Sequence, residues 1–181
     1  MREKARRLGW LALAVLFVVT GLGVGVYAFW VNTHPSSNSN VISCAKGGAV
    51  PAQKPGSSGK LFGAKLANFN PPVKVSYIHC TDYKVGSGAM VQSSSTVSVQ
   101  YVGALAADGF IFDSSFDRSQ PFTTTLDQVI AGWGVGMQGM QPGGIRRIFI
   151  PAQYGYGVQG SPPLIPANSD LVFDVQLLSV K

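Results

Sequence analysis

Residues 129–140 read VIAGWGVGMQGM and are the most convincing helix candidate in the chain. Trp133, Met137 and Met140 fall at i, i+4 and i+7, on one stripe of a helix that begins near Val129. Four glycines interrupt the stretch: Gly132, Gly134, Gly136 and Gly139. Each glycine costs a helix interior up to about 1 kcal/mol relative to alanine. We therefore expect a short helix that is held in place by a larger surface.

Three segments around this stretch alternate along the chain with period two, which is typical of strands with one buried face. Their inward residues are Val97, Val99 and Tyr101 in the first segment, Ile148 and Ile150 in the second, and Leu171, Phe173, Val175 and Leu177 in the third. An apolar sheet face and an apolar helix stripe need each other as cover. The pattern predicts an α+β domain in which an antiparallel β-sheet curls around one short α-helix.

The glycines also spell a dinucleotide-binding fingerprint, because Gly134–Gly139 reads GVGMQG. That motif requires a strand directly before it and an acidic residue about 20 residues later. No strand pattern precedes it, and no acidic residue occurs between Asp127 and Asp170. The sequence does not favour a nucleotide cofactor, and we expect none.

The positive charge of the chain, +6 in total, is unevenly distributed. Residues 1–8 have a net charge of +3, residues 32–88 of +5, and the remainder of −2. A nucleic-acid-binding domain would concentrate basic residues on its folded part. Since the excess of basic residues lies in the N-terminal half of the chain, in the tail and the stalk, we expect no nucleic-acid partner.

The N-terminal segment contains 24 consecutive uncharged residues, from Leu8 to Val31. At about 1.5 Å per helical residue, this run is long enough to cross a hydrocarbon core of about 30 Å. The basic residues before it favour a cytoplasmic N-terminus. We expect residues 1–7 to be a cytoplasmic basic tail and residues 8–31 a transmembrane signal anchor in contact with membrane lipid. A cleaved signal peptide is the competing interpretation.

Residues 32–70 are rich in Ser, Asn, Gly, Pro and Lys, and Gly56-Ser57-Ser58-Gly59 breaks any periodicity. This composition predicts a stalk between the membrane and a domain at residues 71–181. A wholly flexible chain of this length would span roughly 35 Å root-mean-square.

Both cysteines of the chain, Cys44 and Cys80, fall on the side of the membrane that we assign as extracytoplasmic, where disulfides persist. We favour a disulfide between them, which would hold the end of the stalk against the first strand of the domain. A metal site that combines them with His34 and His79 is the alternative. It is disfavoured because adjacent residues of a strand, such as His79 and Cys80, point to opposite faces, and we expect no metal.

Six clusters occur in register between Tyr101 and Asp174. They are Tyr101-Val102-Gly103, Phe112-Asp113-Ser114-Ser115, Arg118 with Phe122, Val129-Ile130-Ala131-Gly132-Trp133, Tyr154-Gly155-Tyr156-Gly157 and Leu171-Val172-Phe173-Asp174. Together they resemble the FKBP-type peptidyl-prolyl cis-trans isomerases, over roughly residues 70–181. The resemblance implies the FKBP fold, an isomerase activity, proline-containing polypeptide substrates and macrolide inhibitors as ligands.

The resemblance also implies a site. Trp133 would be the floor of an apolar pocket that receives the proline ring. Its catalytic residues would be Tyr101, Phe112, Asp113, Ile130, Trp133, Tyr156 and Phe173. Its further substrate-binding residues would be Arg118, Phe122, Val129, Leu164 and Ile165. The chain departs from the family pattern at Ser161, where many members carry His, and at Ala167, which replaces the second proline of an Ile-Pro-Pro run.

The clusters contain no obvious nucleophile, general base or metal-binding set, and rotation about the bond before proline needs none. The resemblance, with all seven of its catalytic residues present, and the expected anchor together favour a membrane-tethered isomerase that acts on proteins folding outside the cytoplasm. Two alternatives stay open: a non-catalytic chaperone or interaction module that binds proline-containing segments on the same fold, and a structural anchor that dimerises through the membrane helix.

Overall fold

The core of the structure is a seven-stranded sheet. A computed structural model describes residues 43–54 and 56–181. The strands in this part of the chain are β1 (Ala45–Lys46), β2 (His79–Lys84), β3 (Thr96–Leu105), β4 (Ile111–Ser114), β5 (Phe122–Thr125), β6 (Ile145–Ile150) and β7 (Leu171–Val180). Their order in the sheet is β1-β2-β6-β7-β3-β4, and β5 also pairs with β3. The β1–β2 pair is parallel and all others are antiparallel.

One short α-helix, α1 (Ala131–Gly136), accompanies the sheet in the described residues. The prediction that it begins near Val129 was wrong by two residues, because Val129 and Ile130 are both extended. Helix α1 ends early because Gly139 has a φ of +74° and its amide donates to the carbonyl of Val91 on another segment. The GVGMQG run thus forms the end of α1 and the turn after it, and a 3-10 helix (Leu126–Gln128), not a strand, precedes α1.

The three predicted strands are confirmed as β3, β6 and β7. Their inward residues form one buried cluster with the apolar stripe of the helical stretch, in which Trp133, Met137 and Met140 are all at most 3% exposed. Helix α1 lies close against β6, and two glycines make this approach possible. A Cβ on Gly132 would collide with Ile150, and a Cβ on Gly136 would collide with Ile148. An α+β fold with a mainly antiparallel sheet and one short helix is therefore confirmed.

The opposite face of the sheet is covered by residues 43–54 and 56–70, which we call the arm. Leu61 and Leu66 are buried in a second cluster with four residues of the sheet and its hairpin: Val102, Ala104, Ile111 and Val172. From residue 43 onward, the predicted stalk belongs to the same compact unit as the sheet. The structure therefore differs from a flexible tether in this part of the stalk, because its apolar residues find a second apolar face.

A disulfide joins Cys44, just before β1, to Cys80 in β2, with their Cα atoms 4.7 Å apart. The parallel pairing of Ala45 with Thr81 continues directly from it. The start of the arm is therefore fixed to the edge of the sheet by both a covalent bond and a short strand.

Two consecutive arginines of β6, Arg146 and Arg147, are buried. Arg147 is 3% exposed and pairs with Asp174 on the arm side of the sheet, at 2.6 Å between Nε and Oδ1. It also donates to the carbonyls of Ala67 and Asn68 in the arm. Arg146 pairs with Asp82 and donates to the carbonyls of Gly136 and Gln138 at the end of α1. The two side chains attach the arm and the helix to the sheet.

The predicted basic tail, transmembrane helix and first part of the stalk, residues 1–42, lie outside the described residues. Within residues 43–54 and 56–181, no helix has both the length and the apolar character needed to cross a membrane.

Candidate active site

Trp133 stands at the centre of an aromatic cluster between α1 and the sheet. The indole is 3% exposed, and three rings surround it edge to face. The ring centroids of Tyr101, Phe173 and Phe122 lie 5.3, 5.5 and 6.2 Å from it, at interplanar angles of 85°, 89° and 78°. Edge-to-face contacts of this kind stabilise aromatic pairs beyond their buried area. The cluster is therefore a packed floor and not a set of independent surface rings.

This floor lies under a cavity of about 280 Å³. The residues that line the cavity are Tyr101, Phe112, Asp113, Phe122, Gln128, Val129, Ile130, Trp133, Tyr156 and Phe173. All seven residues predicted as catalytic are among them, and so are Phe122 and Val129. The cavity therefore brings together side chains that are up to 72 positions apart in the sequence.

Gly103 allows two of the walls to meet. It pairs with Phe173 in β7 and with Asp113 in β4. A Cβ at this position would lie 2.7 Å from the ring of Phe173 and 2.9 Å from that of Phe112. The two rings, whose centroids are 5.8 Å apart, therefore occupy the space that any larger residue at 103 would need.

The polar wall of the cavity is a network of three side chains. The Tyr101 hydroxyl donates to Asp113, and Arg118 donates both to Asp113 and, at 3.0 Å, to the Tyr101 oxygen. Burial raises the pKa of Tyr101 to about 12, and the hydrogen bond to Asp113 acts in the same direction. The Tyr101 hydroxyl is therefore protonated at neutral pH and remains a donor to the carboxylate.

The rim of the cavity supplies two further polar groups. No group within residues 43–54 and 56–181 accepts a hydrogen bond from the amide of Ile130, which precedes α1. First-turn amides of a helix have no partner within the helix, so this N–H is available to an acceptor from outside. Tyr156 also lines the cavity, and burial raises its pKa, with the Asp113 charge as a second cause. The rim therefore offers two hydrogen-bond donors at neutral pH.

Three predicted substrate-binding residues do not line the cavity. Arg118 acts from outside through Asp113 and Tyr101. Leu164 is 39% exposed and Ile165 is buried at 4% in the main core, where a bridge between Ser161 and Ile165 closes their loop. Gln128 lines the cavity but was not predicted. Its only signal is its place before Val129, which does not distinguish it from a surface glutamine.

A second cavity, of about 460 Å³, lies beside Pro151 and Asp170. The Asp170 carboxylate is already engaged, since it accepts hydrogen bonds from the amides of Val75 and Ala152 at 3.0 and 2.9 Å. No aromatic ring lines this cavity. The cavity above Trp133 is therefore the better candidate for an active site.

Comparisons with known proteins agree with this geometry. Residues 88–178 match the family model described as FKBP-type peptidyl-prolyl cis-trans isomerase. The chain is 46% identical over 101 residues to a probable FKBP-type peptidyl-prolyl cis-trans isomerase of Haemophilus influenzae, covering 54% of this chain and 42% of that protein. It is 44% identical over 102 residues to FK506-binding protein 4 of Rhizopus delemar, covering 55% of this chain and 26% of that protein.

A solved structure is also similar, the peptidyl-prolyl cis-trans isomerase of Pseudomonas syringae pv. tomato. It superposes with a TM-score of 0.53 and 38% identity, over 57% of this chain and 75% of that one. The chain spans between about a fifth and about half of the length of the curated relatives that it matches. The family match extends over half of the chain and includes every residue that lines the cavity. The chain therefore belongs to the FKBP-type peptidyl-prolyl cis-trans isomerase family.

Proposed function

We propose that the chain catalyses cis-trans isomerisation of the peptide bond before proline in polypeptide substrates. The observation that carries this proposal is the cavity above Trp133, whose walls are mainly aromatic and whose size suits a proline ring with its neighbouring peptide groups. The barrier to rotation is about 18–20 kcal/mol because rotation breaks amide resonance. No bond is made or broken, so a site without a nucleophile is sufficient.

Catalysis follows from the difference in polarity between the planar and the twisted amide. The twisted amide is less dipolar, so transfer from water to an apolar cavity penalises the planar ground state more than the transition state. Such differential binding is the general source of catalysis. An acceleration of 10⁵ would require about 7 kcal/mol of this preference.

The polar groups of the cavity have separate roles in this proposal. The Ile130 amide would donate to a substrate carbonyl and hold the peptide across the rim. The Tyr156 hydroxyl would donate to a second carbonyl. Asp113, which Arg118 and Tyr101 orient, would lie beside the rotating carbonyl with Phe112. This division leaves Trp133 and Phe173 to contact the proline ring.

Macrolides are a second proposed class of ligand. A relative is named for its binding of FK506, and a rigid, apolar macrolide would compete with proline for the same floor. Because Leu164 and Ile165 do not line the cavity, selectivity for the residue before proline would come from Val129 and Tyr156, which do.

We further propose that the isomerase domain is tethered to the cell membrane by residues 8–31, with a cytoplasmic N-terminus and an extracytoplasmic domain. The uncharged run of 24 residues and the basic residues before it support the anchor. The Cys44–Cys80 disulfide supports an oxidising compartment. The substrates would then be proteins that fold outside the cytoplasm.

Exchange NMR on a Leu-Pro peptide in the presence of the full chain tests the activity. We expect catalytic amounts of the chain to accelerate cis-trans exchange. Tyr156→Phe should lower kcat/KM by roughly two- to thirteenfold, the equivalent of one lost hydrogen bond of about 0.5–1.5 kcal/mol. Trp133→Ala should lower it further or unfold the domain.

Tyr154→Phe is the matched control, because Tyr154 and Tyr156 are equally exposed at 40% and only Tyr156 lines the cavity. We expect this variant to keep the rate of the parent chain. If the folded chain binds the peptide but does not accelerate exchange, the enzyme proposal is wrong and the chain is a proline-binding module.

A further inference from the structure

The contact between Arg118 and Asp113 depends on how the backbone of the turn that carries Arg118 is held. Their side chains are 49% and 40% exposed, and ion pairs at this exposure contribute little to stability. Arg118 ends the 3-10 helix Phe116–Arg118, which contains no buried residue and no side-chain cap. Buried Ser115 attaches the start of this turn to the Tyr101 backbone, with a hydrogen bond in each direction. The other end of the turn, which carries Arg118, has only the exposed side-chain contacts with Asp113 and Tyr101 and needs an attachment of its own.

Asp117, in the middle of this 3-10 helix, provides the missing attachment. Its Oδ1 accepts a hydrogen bond from the Leu61 amide and its Oδ2 one from the Phe62 amide, both at 2.8 Å. Hydrogen bonds to a carboxylate are about twice as strong as those between neutral groups. One side chain of the turn thus binds two successive amides of the arm.

The stretch of the arm that supplies these amides is itself fixed. Residues 61–66, which we call the clamp segment, are paired with the hairpin that leads into β4. The Gly63 amide donates to the Ile111 carbonyl, the Ile111 amide donates to Ala64, and the Leu66 amide donates to Gly109. Leu61 and Leu66 are buried. The clamp segment is therefore a firm base for Asp117.

From this chain of contacts we infer that Asp117 is a positioning residue for the active site and that the clamp segment is a working part of it. The carboxylate of Asp117 fixes the turn to the arm, the turn fixes Arg118, and Arg118 orients Asp113 and Tyr101 at the cavity wall. The clamp segment lies outside residues 88–178, the range of the family match. This inference rests on the proposed isomerase function.

A double-mutant cycle on the full chain tests the inference by exchange NMR on the Leu-Pro peptide. Asp117→Ala should lower kcat/KM about tenfold, since a misplacement of about 1 Å at a site can cost up to 10²-fold. Asp117→Asn keeps one acceptor oxygen and should lose less. In an Arg118→Ala background, Asp117→Ala should change the rate less than twofold, because a residue that acts through another has no separate effect.

A second measurement does not depend on activity. The guanidinium N–H resonances of Arg118 should be sharp and slow to exchange with solvent in the parent chain. They should broaden in Asp117→Ala, while the amides of β3 and β7 stay protected. Asp108→Asn is the matched control, because Asp108 also joins the arm to the hairpin, through Lys65, but does not touch the turn of Arg118. This control should leave both the resonances and the rate unchanged.

Equal losses from Asp117→Ala in both backgrounds, or unchanged Arg118 resonances, would overturn the positioning role. If the parent chain itself fails to accelerate exchange, the proposed function falls, and the Arg118 resonances still decide whether Asp117 holds the turn. If Asp117→Ala does not fold, Asp117→Asn supplies the same comparison.

Discussion

At the scale of single residues, the cavity depends on the aromatic side chains that line it and also on Gly103, which has no side chain. The rings of Phe112 and Phe173 meet above Gly103, where even a methyl group would lie within 2.9 Å of both. Close packing leaves no room for such a group without displacement of its neighbours. The width of the cavity is therefore set partly by this glycine.

Gly103→Ala should push both rings from their positions. Overpacking a core typically costs about 1–3 kcal/mol, so we expect a loss of that size in the free energy of unfolding and a lower isomerase rate. Denaturant unfolding and exchange NMR on the full chain measure the two effects.

Gly134→Ala is the control for this substitution. In α1, a Cβ at position 134 would meet only the Leu126 carbonyl, at an ordinary 3.7 Å. This change should raise the free energy of unfolding by up to about 1 kcal/mol, the difference in helix propensity. A Gly103→Ala chain with unchanged stability and rate would show that the rings can move apart freely.

Some residues of the site and of the core could be predicted from the sequence, and others could not. The apolar residues of the cavity were predicted through the family resemblance, because they fall within or beside the clusters of sequence that carry it. Gln128 was not, since a polar residue in a 3-10 helix has no distinctive pattern. Arg147 was not predictable as buried either, because its partner Asp174 and the carbonyls of the arm that accept from it are distant in sequence.

At the scale of elements, the arm is where composition was least informative. Its Ser, Gly, Pro and Lys residues are typical of a linker, yet Leu61 and Leu66 are buried against the second face of the sheet. Strands β3, β6 and β7 were predictable from period two. The bounds of α1 were not, because its end is set by a long-range hydrogen bond from Gly139 to Val91.

The Cys44–Cys80 disulfide should contribute to the stability of this arrangement. It closes a loop with a sequence separation of 36 residues, for which chain entropy predicts about 3–4 kcal/mol. Replacing both cysteines by serine should lower the free energy of unfolding by that amount. Denaturant unfolding of the full chain, with and without reductant, measures it.

The parent chain in reductant serves as the control, and it should unfold at the same denaturant concentration as the double serine variant. An unchanged midpoint in both cases would mean that β1 and the buried leucines hold the arm without the covalent bond.

At the scale of the whole molecule, the proposed membrane anchor decides where the isomerase works. We expect the full chain to sediment with membranes and to resist extraction at alkaline pH, because a span of 24 uncharged residues inserts stably. Deletion of residues 1–31 should release the domain into the supernatant. Fractionation followed by immunoblotting measures both.

The orientation of the chain in the membrane is measured by protease treatment of cells whose outer layers have been made permeable while the cell membrane stays intact. The domain should be digested, whereas a tag placed before Met1 should survive. Release of the full chain at alkaline pH would contradict the anchor and leave the isomerase proposal intact.

The order of strands in the sheet has a consequence for how the molecule is made. Strand β7 follows all the other strands along the chain, yet it lies between β6 and β3 near the middle of the sheet. During synthesis the ribosome therefore delivers every other strand before the one that joins the two halves, and Phe173 arrives with it. The nascent chain has no complete cavity above Trp133 until residues 171–180 have left the exit tunnel.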